Sequence, residues 1–365
     1  MPVFAREFHV KAAQSSLTLS LTTGLLAPAM MVAGAFSEAR GRKGIMVASL
    51  GASAVLTIAC AFSWRWGALL ALRAIAGITF AGLPAISMAY LAEEVHPTSI
   101  GLAMGLAIGG NGLGGMIGRL ATSFITDLLS WRWAMGTIGL LGIAATVIFW
   151  KTLPPSRHFI AHPMKPGVLA RTMLHQFKDS GMVALFAEGF LIMGVFVTTY
   201  NYATYHLLDP PYSLSQSAAG LIFIVYIAGI FASAWIGARA ARVGRRRMLL
   251  AMLGLMSVGV GLTMLSPLIS VIVGIAVVTF GFFGAHSVAS AWVGLRAQKA
   301  KAQAAALYLF FYYMGSSIAG ATGGLFWEHA RWNGVAGFVA AMLAVALTVA
   351  SFAISEAPAI TRANV

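Results

Sequence analysis

The feature that most constrains this chain is a series of long apolar segments, each able to cross a lipid bilayer as a helix. A membrane-spanning helix needs roughly 17–25 residues, and eleven segments have that length and composition. Apolar residues make up 59% of the chain and charged residues only 9%, which excludes a soluble globular domain. The predicted spans are 15–36, 45–62, 67–90, 100–126, 134–152, 182–204, 217–237, 248–266, 270–293, 303–325 and 334–354.

The basic residues predict which side of the membrane each loop occupies. The chain has 24 Lys and Arg against 10 Asp and Glu, a net charge of +14. Most of the basic residues lie in alternate connections, such as 40–43, 239–247 and 296–301, and the positive-inside rule places those connections in the cytoplasm. The C-terminus is then cytoplasmic. The charge therefore indicates orientation in the bilayer, and we expect no nucleic-acid partner.

An internal repeat divides the chain into two halves. Segments 34–43 and 237–246 share glycine and basic positions at a constant offset of 203 residues, and such a repeat indicates a duplicated unit. We predict an N-terminal helix bundle over 1–152, a cytoplasmic linker with an interfacial helix over 153–181, and a C-terminal six-helix bundle with a short tail over 182–365.

The repeat also predicts that the first half lacks a helix. Two spans, 182–204 and 217–237, precede the basic turn of the second half, whereas only 15–36 precedes that of the first half. We therefore expect five of six helices in the N-terminal bundle, with residues 1–14 on the outer side. The chain would then begin at an internal or misassigned start.

The repeated basic segment resembles a loop signature of the major facilitator superfamily, G-x-L-a-D-r-x-G-r-k. Here Phe36 stands at the leucine position and Glu38 at the acidic position, while Ala241 replaces the acidic residue in the second copy. The segment 69–77 also resembles the family's L-x-x-x-R-x-x-q-G motif. The segment 110–115 is similar to the G-P-x-x-G-G core of its antiporter motif, with Asn111 at the proline position. The glycine and basic positions of the loop motif, with Glu38, are Gly34, Glu38, Gly41, Arg42, Lys43, Gly237, Arg242, Gly244, Arg245 and Arg246.

The resemblance covers essentially the whole chain and is greatest to the bacterial twelve-helix branch of drug and sugar exporters, which includes YnfM-type permeases assigned to arabinose efflux. It implies an all-helical integral membrane fold of two pseudo-symmetric bundles, each built of inverted repeats, around a site near the membrane midplane. It implies a monomer in the inner membrane that exports a small organic compound by alternating access, driven by protons. A proton-coupled importer and a non-transporting partner or sensor protein are the alternatives. We expect no enzyme activity and no metal or other cofactor, since no such motif is present.

Ionisable and polar residues inside predicted spans are candidates for function, because each is costly in the bilayer. Glu188 and His286 lie at similar depth and can take up and release a proton, and structural hydrogen bonds are the alternative. Arg73 and Arg119 can hold an anionic or hydroxyl group of a substrate or influence a nearby carboxylate, and extension to the outer surface is the alternative. The predicted coupling or substrate-pathway residues are Glu188, His286, Arg73, Arg119, Asn111, Thr199 and Tyr202.

The loop motif suggests a gate on the cytoplasmic side. We expect Glu38, at the end of its helix, to pair with a neighbouring helix terminus or arginine and to hold that side closed. Glycines repeated along 105–118, and Gly320 with Gly324, predict close helix packing in both halves.

Overall fold

The computed structural model describes residues 1–96, 100–156, 159, 166–297 and 301–352. The chain is helical over these ranges because a backbone inside a bilayer must satisfy its own hydrogen-bonding groups. The first half contains α1 (Pro2–Glu7), α2 (Ala12–Arg40), α3 (Lys43–Ala61), α4 (Trp66–Phe80), α5 (Gly82–Glu94), α6 (Ile100–Leu128) and α7 (Trp131–Thr152).

The second half follows the linker, in which α8 (Pro166–Gln176) is the predicted short helix. Its remaining elements are α9 (Ser180–Leu208), α10 (Gln216–Gly220), a 3-10 segment (Leu221–Val225), α11 (Tyr226–Val243), α12 (Arg245–Leu262), α13 (Leu268–Arg296) and α14 (Lys301–Phe352). The predicted all-helical fold is confirmed for the part of the chain that the structure describes.

Within the described ranges, eight helices are long and apolar enough to cross a membrane. One of these, α14, holds two predicted spans, because its backbone leaves helical geometry at Ala330 and Arg331. The Phe326 and Phe338 rings stack at 4.5 Å on either side of this bend. We call 301–329 the first limb of α14 and 332–352 the second limb.

The other predicted spans also coincide with helices. The predicted span 67–90 contains α4 and α5, which meet at Ala81. The predicted spans 100–126 and 248–266 lie on α6 and α12. The expected missing first helix concerns sequence beyond this chain and stays a prediction.

The two basic turns of the repeat have the same backbone geometry. Gly41 separates α2 from α3 with φ +98°, and Gly244 separates α11 from α12 with φ +100°. These angles favour glycine, because a side chain with a Cβ is strained there. The shared conformation agrees with the repeat read from the sequence. Below, the end of the molecule that carries both turns is called the basic end.

Two main groups of helix contacts join the halves within the described ranges. The α2 helix packs along the first limb of α14, where Ser317 donates a hydrogen bond to the Ser20 carbonyl at 2.7 Å. The α6 helix packs against α10 and the 3-10 segment, and a Cβ on Gly220 would lie 2.4 Å from the Ser123 Cβ. Side chains on these five elements are therefore held between two separately packed bundles.

Candidate functional site

A cavity of about 270 Å³ lies between the two halves, toward the end opposite the basic end. It receives side chains from α4 and α6 of the first half and from α9 and the 3-10 segment of the second. Among the lining residues are Arg73, Arg119, Tyr200, Asn201 and Phe223. Two of the predicted substrate-pathway residues therefore line one space.

Arg73 is positioned by close packing of α4 on α2. Its Nε donates to the Thr18 carbonyl at 2.9 Å, and the Thr22 hydroxyl donates to the Arg73 carbonyl at 2.9 Å. One turn away, a Cβ on Gly77 would lie 2.2 Å from the Thr22 carbonyl oxygen. Only glycine permits this approach, so the four-residue spacing from Arg73 to Gly77 fixes the arginine backbone against α2.

Arg119 reaches from α6 across to the other half. Its Nη1 donates to the Tyr226 hydroxyl, and its guanidinium lies 5.1 Å from the Phe223 ring centroid and 5.3 Å from that of Tyr226. Such cation–π contacts stabilise an arginine charge at the face of an aromatic ring. The guanidinium is therefore held at the joint between halves, beside the cavity.

Asn201 presents a buried amide at the same joint. Its side chain is 8% exposed, and its Nδ2 has no hydrogen-bond partner within the described structure. A Cβ on Gly320 of α14 would lie 3.3 Å from that nitrogen. Buried amide donors usually have partners, so this one marks a place where a further acceptor would be accommodated.

A second group of polar residues lies inside the C-terminal half, outside the cavity. Glu188 of α9 is fully buried, and neither carboxyl oxygen has a hydrogen-bond partner among the described residues. His286 of α13 shares a 3.0 Å hydrogen bond with the Tyr308 hydroxyl. A Cβ on Gly189, next to Glu188, would lie 2.8 Å from the Tyr308 ring. Tyr308 thus lies between the two predicted proton-handling residues.

The two predicted pathway residues Thr199 and Tyr202 lie on α9, and Tyr202 faces the first limb of α14. The Tyr202 hydroxyl donates to the Gly320 carbonyl at 2.9 Å, and the Thr199 hydroxyl donates to the Val195 carbonyl of its own helix at 2.8 Å. Both side chains are buried. Thr199 and Tyr202 therefore belong to the core of the C-terminal half and do not line the cavity.

Asn111 and its neighbouring glycines lie on α6, apart from both the cavity and the polar group around Glu188. Asn111 is exposed on α6. A Cβ on Gly110, Gly114, Gly115 or Gly118 would meet nothing within 4 Å, whereas one on Gly324 would lie 2.3 Å from the Ala13 Cα. Close packing at a small-residue face is therefore confirmed for Gly320 and Gly324, and it is wrong for these four α6 glycines. The side chains at positions 105 and 109 lie outside the described residues.

At the first basic turn, Arg42 forms a two-point ion pair with Glu93. Its Nη2 and Nε donate to the two carboxyl oxygens at 2.6 and 3.2 Å, and its Nη1 donates to the Ser37 hydroxyl at 2.6 Å. Lys43 donates to the Leu153 carbonyl beyond the end of α7. The motif thus ties α2 and α3 to α5 and α7.

At the second turn the partners differ. Arg246 donates to the Ala350 carbonyl at 3.1 Å, which ties α12 to the second limb of α14. Arg242 is exposed, and the side chain at position 241 lies outside the described residues. The side chain of Glu38 is likewise outside them, so its gating role stays a prediction.

A further ion pair closes the same end of the C-terminal half. Arg296 donates through Nε and Nη2 to the two carboxyl oxygens of Asp179, each at 2.7 Å. Burial by itself would raise the pKa of the Asp179 carboxyl. The Arg296 bonds, with the Gly181 and Met182 backbone N–H groups, outweigh burial and hold this pKa below its ordinary value.

Several of these residues were not selected from the sequence. Glu93 and Asp179 lie in polar segments where a solvated carboxylate is the usual expectation, and their partners are distant in sequence. Tyr308 and Tyr226 lie in apolar spans, where an aromatic residue is normally expected to pack in the hydrophobic core. The one available signal was the hydroxyl of each tyrosine, since a buried hydroxyl requires a partner.

Two helical bundles around a cavity lined by two arginines, with charged residues inside apolar spans, define a multi-pass membrane transporter by class. Residues 1–239 match the family model described as Major Facilitator Superfamily. The chain is 48% identical over 352 residues to the MFS-type transporter YybF of Bacillus subtilis, covering 96% of this chain and 87% of that protein. The chain therefore belongs to the major facilitator superfamily, and the predicted resemblance is confirmed.

Two further likenesses support this assignment. The inner membrane transport protein YnfM of Escherichia coli is 42% identical over 349 residues, covering 96% of this chain and 84% of YnfM. A bacterial homologue of the human lysosomal transporter Spinster, solved in an inward-facing and occupied conformation, has a TM-score of 0.77. That alignment covers 98% of this chain and 93% of the solved chain, at 14% identity, and so supports the fold.

Proposed function

We propose that this transporter is proton-coupled and exports a small organic compound by alternating access. The observation that carries the proposal is Glu188, a fully buried carboxyl group whose two oxygens have no hydrogen-bond partner among the described residues. A carboxylate in such a place is far more costly than the neutral acid. Glu188 therefore favours a bound proton in this arrangement.

Proton binding at Glu188 can be coupled to conformation. The acid lies where α9 meets α14, and Tyr308 connects this point to His286 on α13. In a conformation that admits water to Glu188, the free-energy cost of the ionised carboxylate would be lower. Because a ligand shifts a conformational equilibrium by its differential affinity, a proton would favour the buried arrangement.

In this proposal, the two halves move relative to each other at the interfaces between them. The α2–α14 and α6–α10 contacts join the halves, and α2, α6 and α10 each contribute residues to the lining of the arginine-lined cavity. Relative rocking of the halves would expose that cavity to one side of the membrane at a time. Resemblance to exporters favours export. We further propose that the chain works as a monomer in the bacterial inner membrane, with the basic end and the C-terminus in the cytoplasm.

Purified protein in liposomes that enclose a pH-sensitive dye would test the coupling. A broad set of small organic compounds is added outside, and the internal pH is recorded. Substrate-dependent alkalinisation or acidification supports coupling, and its sign distinguishes symport from antiport. Glu188→Gln is expected to abolish the pH change, because glutamine cannot release a proton.

Asp209→Asn is the matched control, since Asp209 lies at the opposite end from the basic turns and pairs with the exposed Arg331 at 3.6 Å. This variant should retain the pH change. Substrate transport without any pH change in the unmodified protein, or full coupling in Glu188→Gln, would remove the proposal. Inward accumulation of substrate would favour the importer.

A further inference from the structure

We propose that the cavity between the halves recognises a small organic anion, a carboxylate attached to an aromatic or other planar body. The inference names the substrate class of the cavity and, as a statement about transport, rests on the proposed function. It is carried by the charge balance, the hydrogen-bond donors and the aromatic lining of one space. No single residue among them would be sufficient.

The charge balance is the first argument. Arg73 and Arg119 both line the cavity, and no Asp or Glu is among its lining residues. Within the described part of the chain, neither arginine forms an ion pair with a carboxylate. Arginine keeps its proton in proteins, so two positive charges face a space without a protein counter-ion. An anion would neutralise them, whereas a cation would be repelled.

The unused donors are the second argument. Among the described residues, the Arg73 guanidinium donates one hydrogen bond, from Nε to the Thr18 carbonyl. Arg119 uses Nη1 toward Tyr226. The buried Asn201 Nδ2 donates to nothing described. Planar arginine donors match the two oxygens of a carboxylate, and Asn201, whose residue also lines the cavity, adds an amide next to them.

The aromatic lining is the third argument. Tyr200 and Phe223 stack at 5.3 Å on one side of the cavity, and Trp131 lies on another. The Tyr200 hydroxyl shares a 2.7 Å hydrogen bond with the Thr279 hydroxyl, which holds its ring in place. The volume of about 270 Å³ lies near the lower limit of ordinary ligand pockets. The occupant is therefore small, with a planar body against these rings.

The test compares molecules of equal shape and different charge. Benzoate, benzamide and benzamidine are titrated into the full chain in detergent by isothermal calorimetry, and butyrate, butyramide and butylamine form a second series. We expect benzoate to bind about tenfold or more tightly than benzamide, and more tightly than butyrate, which has no planar ring. The cation should not bind.

Equal or tighter binding of the amide or the cation in both series would overturn the proposal. Absence of benzoate binding up to about 10 mM would also overturn it. These comparisons use the unmodified protein and do not depend on whether a variant folds.

Arginine variants locate the bound anion. Arg119→Gln and Arg73→Gln should each weaken carboxylate binding by about tenfold to a hundredfold while leaving amide binding unchanged. Arg331→Gln is the matched control, because this exposed arginine lies outside the cavity. Unchanged carboxylate affinity in folded Arg119→Gln and Arg73→Gln would assign the arginines to packing alone and overturn the site.

Glu188→Gln separates this inference from the proton-coupling proposal. It should keep carboxylate affinity, since Glu188 does not line the cavity, while losing the transport-linked pH change. If the unmodified protein binds carboxylates but shows no proton coupling, the binding-site inference stands and the proton-coupling proposal fails. If the protein moves neutral compounds with proton coupling but binds no carboxylate, the proton-coupling proposal stands and the binding-site inference fails.

Discussion

The two halves of this chain share a repeat but differ in how deeply their helices are buried. The α9 span at the start of the C-terminal half is 72% buried, whereas the spans measured in the N-terminal half are 11–35% buried. The large apolar core also lies chiefly in the C-terminal half, and the N-terminal half has small clusters around Met30 and Met46. The two halves of the repeat are thus packed unequally, and the spans of the C-terminal half are also the more apolar.

The basic ends sharpen this comparison. Glu93 and Arg296 are separated by the repeat offset of 203 residues, and each makes a two-point ion pair. Their charges are opposite, however. Glu93 receives Arg42 from the basic turn, whereas Arg296 donates to Asp179 at the start of α9. The repeat therefore preserves the location of an ion pair while changing the elements that it joins.

The largest expected difference between the halves concerns glycine. In Gly315→Ala the new Cβ would lie 2.0 Å from the Phe190 carbonyl oxygen, so α9 and α14 would have to separate. Overpacking of this kind costs about 3 kcal/mol of unfolding free energy. Gly114→Ala meets nothing within 4 Å and should cost nothing. Thermal unfolding in detergent, followed by circular dichroism, measures both. An equal loss of thermal stability in the two variants would show that α6 is packed as tightly at Gly114 as α14 is at Gly315.

The ion pairs should show a smaller difference. A double-mutant cycle with Arg42→Gln and Glu93→Gln should give a coupling energy of about 1–2 kcal/mol, because the pair is two-pointed and partly buried. The cycle with Arg296→Gln and Asp179→Asn should give about 1 kcal/mol or less. The reason is the greater exposure of the carboxylate side chain, 39% against 29%. Reversal of this order in urea unfolding would contradict the role assigned to exposure.

The smallest expected effect is the pH dependence of the Asp179–Arg296 pair. Because the folded-state pKa of Asp179 is lowered, the pair stabilises the fold fully above the ordinary carboxyl pKa of about 4. That stability is lost as the pH falls through the lower folded-state value. The melting-temperature difference between unmodified protein and Asp179→Asn should be constant from about pH 6 to 5 and shrink below about pH 4. In an Arg296→Gln background this pH dependence should become smaller, because only the Gly181 and Met182 N–H groups then oppose burial, and an unchanged pH dependence would assign it to another group.

Much of the membrane architecture was predictable, because a bilayer imposes simple rules on sequence. The apolar runs coincide with helices, and the shared left-handed glycines at 41 and 244 agree with the repeat. The family could be inferred from the same turns and from segment 69–77. For the site, Arg73, Arg119 and Glu188 could be selected because charge inside an apolar span is rare.

What could not be predicted was which selected residues meet. Arg73 and Arg119 share a cavity, whereas Glu188, Thr199 and Tyr202 lie in the core of the C-terminal half. The depth of a residue along a span follows from its position, but its partner depends on helix rotation and on which helix lies opposite. Close approaches such as Gly77 on Thr22 set those rotations, and a glycine does not reveal its neighbour.

The sequence by itself determined that the chain is a helical, duplicated membrane protein of the major facilitator superfamily, since hydrophobic length, charge placement and turn glycines are local properties. Only the tertiary structure decided that two arginines without a carboxylate partner among the described residues line one cavity, and that Tyr308 connects His286 to the neighbourhood of Glu188. Those relations join residues far apart in the chain, and the packing of whole helices brings them together.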